Sequence, residues 1–127
     1  MNVVRIARLA VPALQAAGGG AIVNVSSFAA VEPDGTFPTS AVGRAALAAY
    51  TKLFADAHAA QGLRMNNVLP GFIDSLPVKA ERVARIPAGR YGTADEVAAL
   101  VAFLVSAEAA YVNGQNIRID GALTRSI

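Results

Sequence analysis

Three short runs of β-forming residues, at 21–25, 64–69 and 116–119, are kept apart by long stretches in which apolar residues recur at helical spacing. Strands joined by a tight turn can pair antiparallel. Strands joined across a helix pair parallel, through a right-handed crossover. The order along the chain is helix, strand, helix, strand, helix, strand, which predicts an α/β fold with three parallel strands in sequential order across one sheet. At 127 residues the chain is long enough for one such domain and too short for two.

The first helix is predicted over 2–16, with apolar residues at Val3, Val4, Ile6, Ala7, Leu9, Ala10, Val11, Ala13 and Leu14. They cover more than one face, so burial on two sides is expected, and Pro12 should bend the helix or mark its late turns. Gly18-Gly19-Gly20 stops it. A dinucleotide-binding glycine loop leaves a strand and opens a helix, so that its amides face the pyrophosphate. These glycines run in the opposite order and read as a helix stop. The strand at 21–25, expected to be buried, ends at Ser26-Ser27 and is followed by a loop carrying Pro33, Asp34, Gly35 and Pro38. Alanine and leucine then recur at helical spacing over 40–61, closed by Gly62, and the strand at 64–69 is broken by Pro70-Gly71. Residues 72–91, with Pro77 and Pro87, read as irregular or short-helical. Thr93 and Glu96 form a capping box for a helix over 94–106 that is apolar nearly all round, and deep burial is expected for it. Asn113-Gly114 turns the chain into the last strand.

Composition excludes several function classes. Hydrophobic residues make up 54% and charged ones 16%, the opposite of a disordered chain. The net charge of +2 comes from basic residues scattered singly, with no basic run interleaved with aromatics, so no nucleic-acid partner is expected. There is no cysteine for a disulfide or thiolate site, which fits a reducing compartment and a cytoplasmic location. The single histidine, His58, lacks companions for a metal site and reads as a polar surface residue. The longest unbroken apolar run, 97–105, is far short of the roughly 20 residues needed to cross a bilayer, so no membrane partner is expected. The apolar stretch over 1–17 carries its arginines inside rather than ahead, and reads as a helix of the fold rather than a signal peptide.

In an open parallel sheet, ligands bind beyond the C-terminal ends of the strands. Three places therefore matter: Ser26-Ser27, Pro70-Gly71-Phe72-Ile73 and Asp120-Gly121. At these places the chain resembles the short-chain dehydrogenase/reductase family. GAIVNVSS (20–27) resembles the family's central strand, which ends in its catalytic serine. RMNNVLPGFIDS (64–75) resembles the next strand and its proline-glycine turn, and IPAGRYGTADEVAALVAFLVSAEAAYVNGQNIRIDG (86–121) resembles the last helix and strand. The resemblance covers essentially the whole chain and implies the C-terminal half of a Rossmann-like doubly wound sheet, a single partial domain over 1–127 without the glycine-rich cofactor half.

It also implies a site. The family's catalytic serine falls on Ser27, its lysine on Arg44 within GRAALAAYTK (43–52), and its tyrosine, four residues earlier, on Ser40. The step of thirteen from Ser27 to Ser40 supports that register. The family's asparagine and glycine-rich loop would precede Met1. The expected catalytic set is thus Ser27, Ser40 and Arg44, and the expected cofactor-binding set is Arg44, Pro70, Gly71, Ile73 and Ser75, the cofactor being NAD or NADP. SxxxR in place of YxxxK weakens proton transfer. A phenol can be made acidic by a neighbouring ammonium, whereas a serine hydroxyl stays protonated and a guanidinium does not exchange protons near neutrality.

Structural readings stand beside these functional ones. Ser27 can simply satisfy loop amides, Ser40 can cap the long helix, Arg44 can pair with a carboxylate such as Asp34, and Tyr50 reads as core. The resemblance implies an NAD(P)-dependent oxidoreductase acting on small carbonyl or alcohol compounds, inactive as these residues alone and without tight cofactor binding. The alternatives are a noncatalytic pseudoenzyme, or a half-fold serving as scaffold. Association into homodimers or homotetramers is expected through the helices at 3–16 and 41–60 and the edge strand at 21–25.

Overall fold

The computed structural model describes residues 2–126 and contains three parallel strands in the order β1-β2-β3. These are β1 (Gly20–Val25), β2 (Leu63–Pro70) and β3 (Asn116–Ile119), with Asn24 opposite Asn67 and Asn67 opposite Asn116. The helices are α1 (Asn2–Ala16), α2 (Pro38–His58), the four-residue α3 (Ala80–Val83) and α4 (Ala94–Val105). The parallel order and the positions of all three strands agree with the sequence reading.

Strand alternation sorts the core. Leu63 and Met65 of β2 point to one face, where they pack with Ala7, Val11 and Leu14 of α1 and Phe54 and Tyr50 of α2. Val68 points to the other face and meets Leu104, Val97, Leu100 and Val101 of α4. The result is a sheet layered between helices, with β2 at its centre and almost wholly buried. Three aligned asparagines cross the sheet. Asn24 donates from Nδ2 to Asn67 Oδ1 at 2.9 Å, and Asn67 donates from Nδ2 to Asn116 Oδ1 at 2.7 Å. Thr51 of α2 donates to the same Asn67 oxygen at 3.0 Å, so the buried amide accepts twice, donates once and ties helix to sheet. Arg64 reaches around α4 and donates to the carbonyls of Leu104, Ser106 and Val112, supplying partners that a helix C-terminus otherwise lacks.

Helix ends follow local chemistry. α1 closes in a Schellman arrangement: Gly19 N–H donates to Leu14 and Gly18 N–H to Gln15, with Gly18 at φ +84° where a side chain would be strained. The capping box at α4 is present, with Thr93 Oγ1 accepting from Glu96 N–H and Glu96 accepting from Thr93 N–H. Arg90 grips the same carboxylate with both terminal nitrogens and, with the Thr93 amide, lowers Glu96 to a pKa of about 2.

Three burial expectations need correction. α1 is covered on one side only; Ile6 and Leu9, on the other, are 64% and 81% exposed. α4 buries a single stripe centred on Leu104 and leaves Phe103 and Val105 open. β1 is half-buried rather than buried, because it is the sheet's edge among the described residues, and Val25 at its end is 61% exposed. Apolar composition marks a face as fit for burial, but a second element must lie against it for burial to occur.

Candidate functional site

β1 and β2 run parallel, so their C-terminal ends open on the same side, and the chain beyond each end turns across that opening. β1 delivers Ser26 and Ser27. Ser26 is buried, with its hydroxyl unpartnered, while Ser27 starts a single 3-10 turn and its Oγ accepts from Ala29 N–H at 3.3 Å. The loop-amide reading of Ser27 is therefore realised, and the hydroxyl hydrogen is not used in that contact. β2 delivers Pro70-Gly71, where Gly71 N–H donates to Ile119 carbonyl at 3.0 Å. Gly71 sits so close to Asp120 that an added Cβ would lie 2.9 Å from Asp120 Cα.

Between these ends lies a cleft of about 410 Å³ lined by Ser27, Phe28, Ser40, Arg44, Gly71 and Phe72, with Asp34, Glu81, Arg82 and Arg85 around them. The three residues of the expected catalytic set thus meet in one cavity. Ser40 lies within the first turn of α2 and does not cap it. Phe37 occupies the cap position and Pro38 opens the helix, since a proline ring there sacrifices no hydrogen bond. Ser40 Oγ instead accepts from Arg44 Nε at 3.1 Å, one turn on. Of the two uses open to Arg44, the pairing with Asp34 is not formed; Asp34 lies 3.6 Å from Arg85. Hydrogen bonds from Thr36, with the charge of Arg85 added, hold the Asp34 carboxyl below its ordinary value.

The expected cofactor set divides. Arg44 and Gly71 line the cleft, and Pro70, Ile73 and Ser75 do not. Ile73 is drawn beside Gly92 in an isolated parallel bridge, with Asp74 N–H donating to Gly92 and Gly92 N–H to Phe72. No metal-binding cluster of His, Cys, Asp or Glu occurs among the described residues, and no described helix is long and apolar enough to cross a membrane. His58 lies remote from the cleft, bonded to Gln61 and tilted against the Phe54 ring.

Sequence reasoning placed Phe72 at this strand end but missed its role and the arginines gathered on it. Phe72 is the hub: Phe28 meets its ring edge-on at 5.8 Å, Tyr91 stacks at 5.7 Å, and the Arg82 and Arg85 guanidinium groups lie over it at 5.0 and 5.7 Å. The one local signal was the spacing of Arg82 and Arg85, three apart, with Arg82 on the four-residue α3 and Arg85 just past its end. That spacing does not say what the two side chains would cover.

Comparison with known proteins follows the same outline. The family model described as enoyl-(acyl carrier protein) reductase matches residues 1–124. A 3-oxoacyl-(acyl-carrier-protein) reductase of Thermotoga maritima is 39% identical over 129 residues, covering 96% of this chain and 52% of that protein. A cyclohexanol dehydrogenase of Acinetobacter sp. is 40% identical over 118 residues, covering 90% of this chain and 47% of that protein. The crystal structure of the NADH-dependent reductase A1-R' responsible for alginate metabolism superimposes with a TM-score of 0.88 at 28% identity, covering 98% of this chain and 52% of that one. The chain spans about half the length of the curated relatives it matches.

Proposed function

The chain belongs to the short-chain dehydrogenase/reductase family, and from that premise we propose that it supplies the substrate pole of an NAD(P)-dependent oxidoreductase site for small carbonyl or alcohol compounds. The observation that carries this reading is the convergence of Ser27, Ser40 and Arg44 on one cleft beyond the ends of parallel strands. The Ser27 hydroxyl can donate to a substrate oxygen while its own oxygen accepts from Ala29. Arg44, one of whose five N–H donors is committed to Ser40, can hold a ribose or substrate oxygen with the rest.

A whole dinucleotide does not fit the residues present. Its pyrophosphate needs backbone amides at a strand-to-helix glycine turn. Gly18, Gly19 and Gly20 run from helix to strand, and their amides are bonded to Gln15, Leu14 and Gly62. These 127 residues can therefore meet only the nicotinamide end, and tight binding by them alone is not expected. A second reading, a noncatalytic binding module, is favoured by one specific feature: Ser40 and Arg44 hydrogen-bond to each other and neither is a practicable proton relay.

A chimera in which these residues replace the matching half of the Thermotoga maritima reductase tests both readings. With cofactor bound, the Ser40→Tyr/Arg44→Lys variant should raise kcat by about 10² to 10⁴-fold over the Ser/Arg parent, the range for a positioned acid-base group. An unchanged rate in a chimera that binds NADPH normally would reject the assignment of Ser40 and Arg44 to those roles and leave the noncatalytic reading.

A further inference from the structure

Two guanidinium groups face the cleft without a carboxylate. Arg85 has Asp34 at 3.6 Å, but no ion pair or side-chain hydrogen bond engages Arg82 among the described residues. Arg44 is held only through Nε, leaving its terminal nitrogens without a described partner. Covering the Phe72 ring accounts for where Arg82 lies, and a guanidinium lying over a ring can still offer N–H groups to another acceptor. Those edges form a rigid planar fork that matches a carboxylate. The lining charges are Arg44, Arg82 and Arg85 against Asp34 and Glu81, three positive and two negative, an excess of one. That excess suits a monoanion better than a dianionic phosphate, which would meet Asp34 and Glu81 across the same small volume. Phe28 and Phe72 offer an apolar wall beside the fork, and about 410 Å³ has the size of a small-molecule site.

We propose that the substrate is an oxo or hydroxy acid of small apolar body, whose carboxylate is held by Arg82 together with Arg44 while its body lies on Phe72 and Phe28. This rests on the cleft being the substrate site proposed above, and names the substrate class. Arg82 is then a specificity-determining residue, and Glu81 beside it sets a limit on anion affinity.

The test is binding by the 127-residue chain, followed by NMR titration with 4-oxocyclohexanecarboxylate, its carboxamide and inorganic phosphate. The carboxylate should bind at least about ten-fold more tightly than the neutral carboxamide. Arg82→Gln should abolish most of that preference while leaving carboxamide affinity in place, and Glu81→Gln should strengthen carboxylate binding. Arg44→Gln provides a second variant on helix α2, should Arg82→Gln disturb the segment around α3. Equal affinity for acid and amide, a preference for phosphate, absence of binding, or an acid preference that survives both arginine variants would each overturn the proposal. The readout needs no hydride transfer. Failure of the chimera to turn over would remove the oxidoreductase reading but not the carboxylate binding, and loss of the acid preference would leave the oxidoreductase reading standing.

Discussion

Two glycines give a paired test of how the cleft floor is built. Gly71 ends β2 where β3 and the chain after it pass closest; a Cβ there would lie 2.9 Å from both Cα and Cβ of Asp120 and 3.2 Å from its carbonyl oxygen. Two of these atoms are backbone, so relief requires the strands to move apart, against the 3.0 Å bond from Gly71 N–H to Ile119. Overpacking of that kind costs about 1–3 kcal/mol. With a urea dependence of about 1–3 kcal/mol per molar, Gly71→Ala should lower the unfolding midpoint by roughly 1 M. Gly43 lies inside α2 with nothing within 4 Å of a built Cβ. There alanine only removes backbone freedom from the unfolded chain, and Gly43→Ala should stabilise by about 0.5–1 kcal/mol. Urea denaturation followed by circular dichroism measures both. A neutral Gly71→Ala, or shifts of the same sign in the two variants, would show that contact at Asp120 does not constrain the strand ends.

Two further outcomes are expected. Glu96 is held at a pKa of about 2, below its ordinary 4.5, chiefly by Arg90, so its stabilising contribution is complete above pH 4.5 and disappears as pH falls toward 2. Glu96→Gln should therefore be less stable than the parent at neutral pH, with the gap closing over that window; a gap that widens in acid would contradict the assignment. The open faces carrying Ile6 and Leu9 on α1 and Val42 and Leu53 on α2, with the edge strand β1, should drive self-association that light scattering detects as concentration rises. A monodisperse monomer at high concentration would refute this.

What the sequence disclosed was local in origin. Gly18 stops α1, Thr93 and Glu96 start α4, and Gly62 with its φ of +73° closes the segment after α2, each through bonds within a few residues. Strand positions followed because β-rich runs bounded by glycine and proline have few other uses. What stayed hidden depends on which elements meet. Nothing near Asn24, Asn67 or Asn116 in the chain says that register will align them into one bonded row. Arg82 and Arg85 sit in a segment too irregular for periodicity, and only the fold brings them over Phe72. Ser40 had the chemistry of a cap, yet Pro38 two residues earlier set the start of the helix.

The proton requirement narrows the chemistry of the cleft further. Reduction of a carbonyl delivers hydride to carbon and must be matched by a proton at oxygen. No His, Cys, Lys or Tyr lines the cleft. Tyr91, which stacks on Phe72, has its hydroxyl turned to Lys79 N–H at 3.3 Å. Asp34 is held in its ionised form by Thr36 and Arg85 and so is a poor donor. Ser27 and Ser40 can orient and stabilise a developing alkoxide through hydrogen bonds, but they cannot ionise near neutrality. Glu81 is the lining carboxylate not held in this way, so turnover with the native residues takes its proton from Glu81 or from water entering the cleft. In the chimera this predicts a slow rate that is nearly flat between pH 6 and pH 9. Ser40→Tyr/Arg44→Lys should add a titrating limb, because a phenol beside an ammonium changes protonation state within or near that range. A steep pH dependence in the Ser/Arg chimera, absent from its cofactor binding and surviving Glu81→Gln, would mean that a titratable group outside this lining reaches the substrate oxygen, and would overturn this account of the proton.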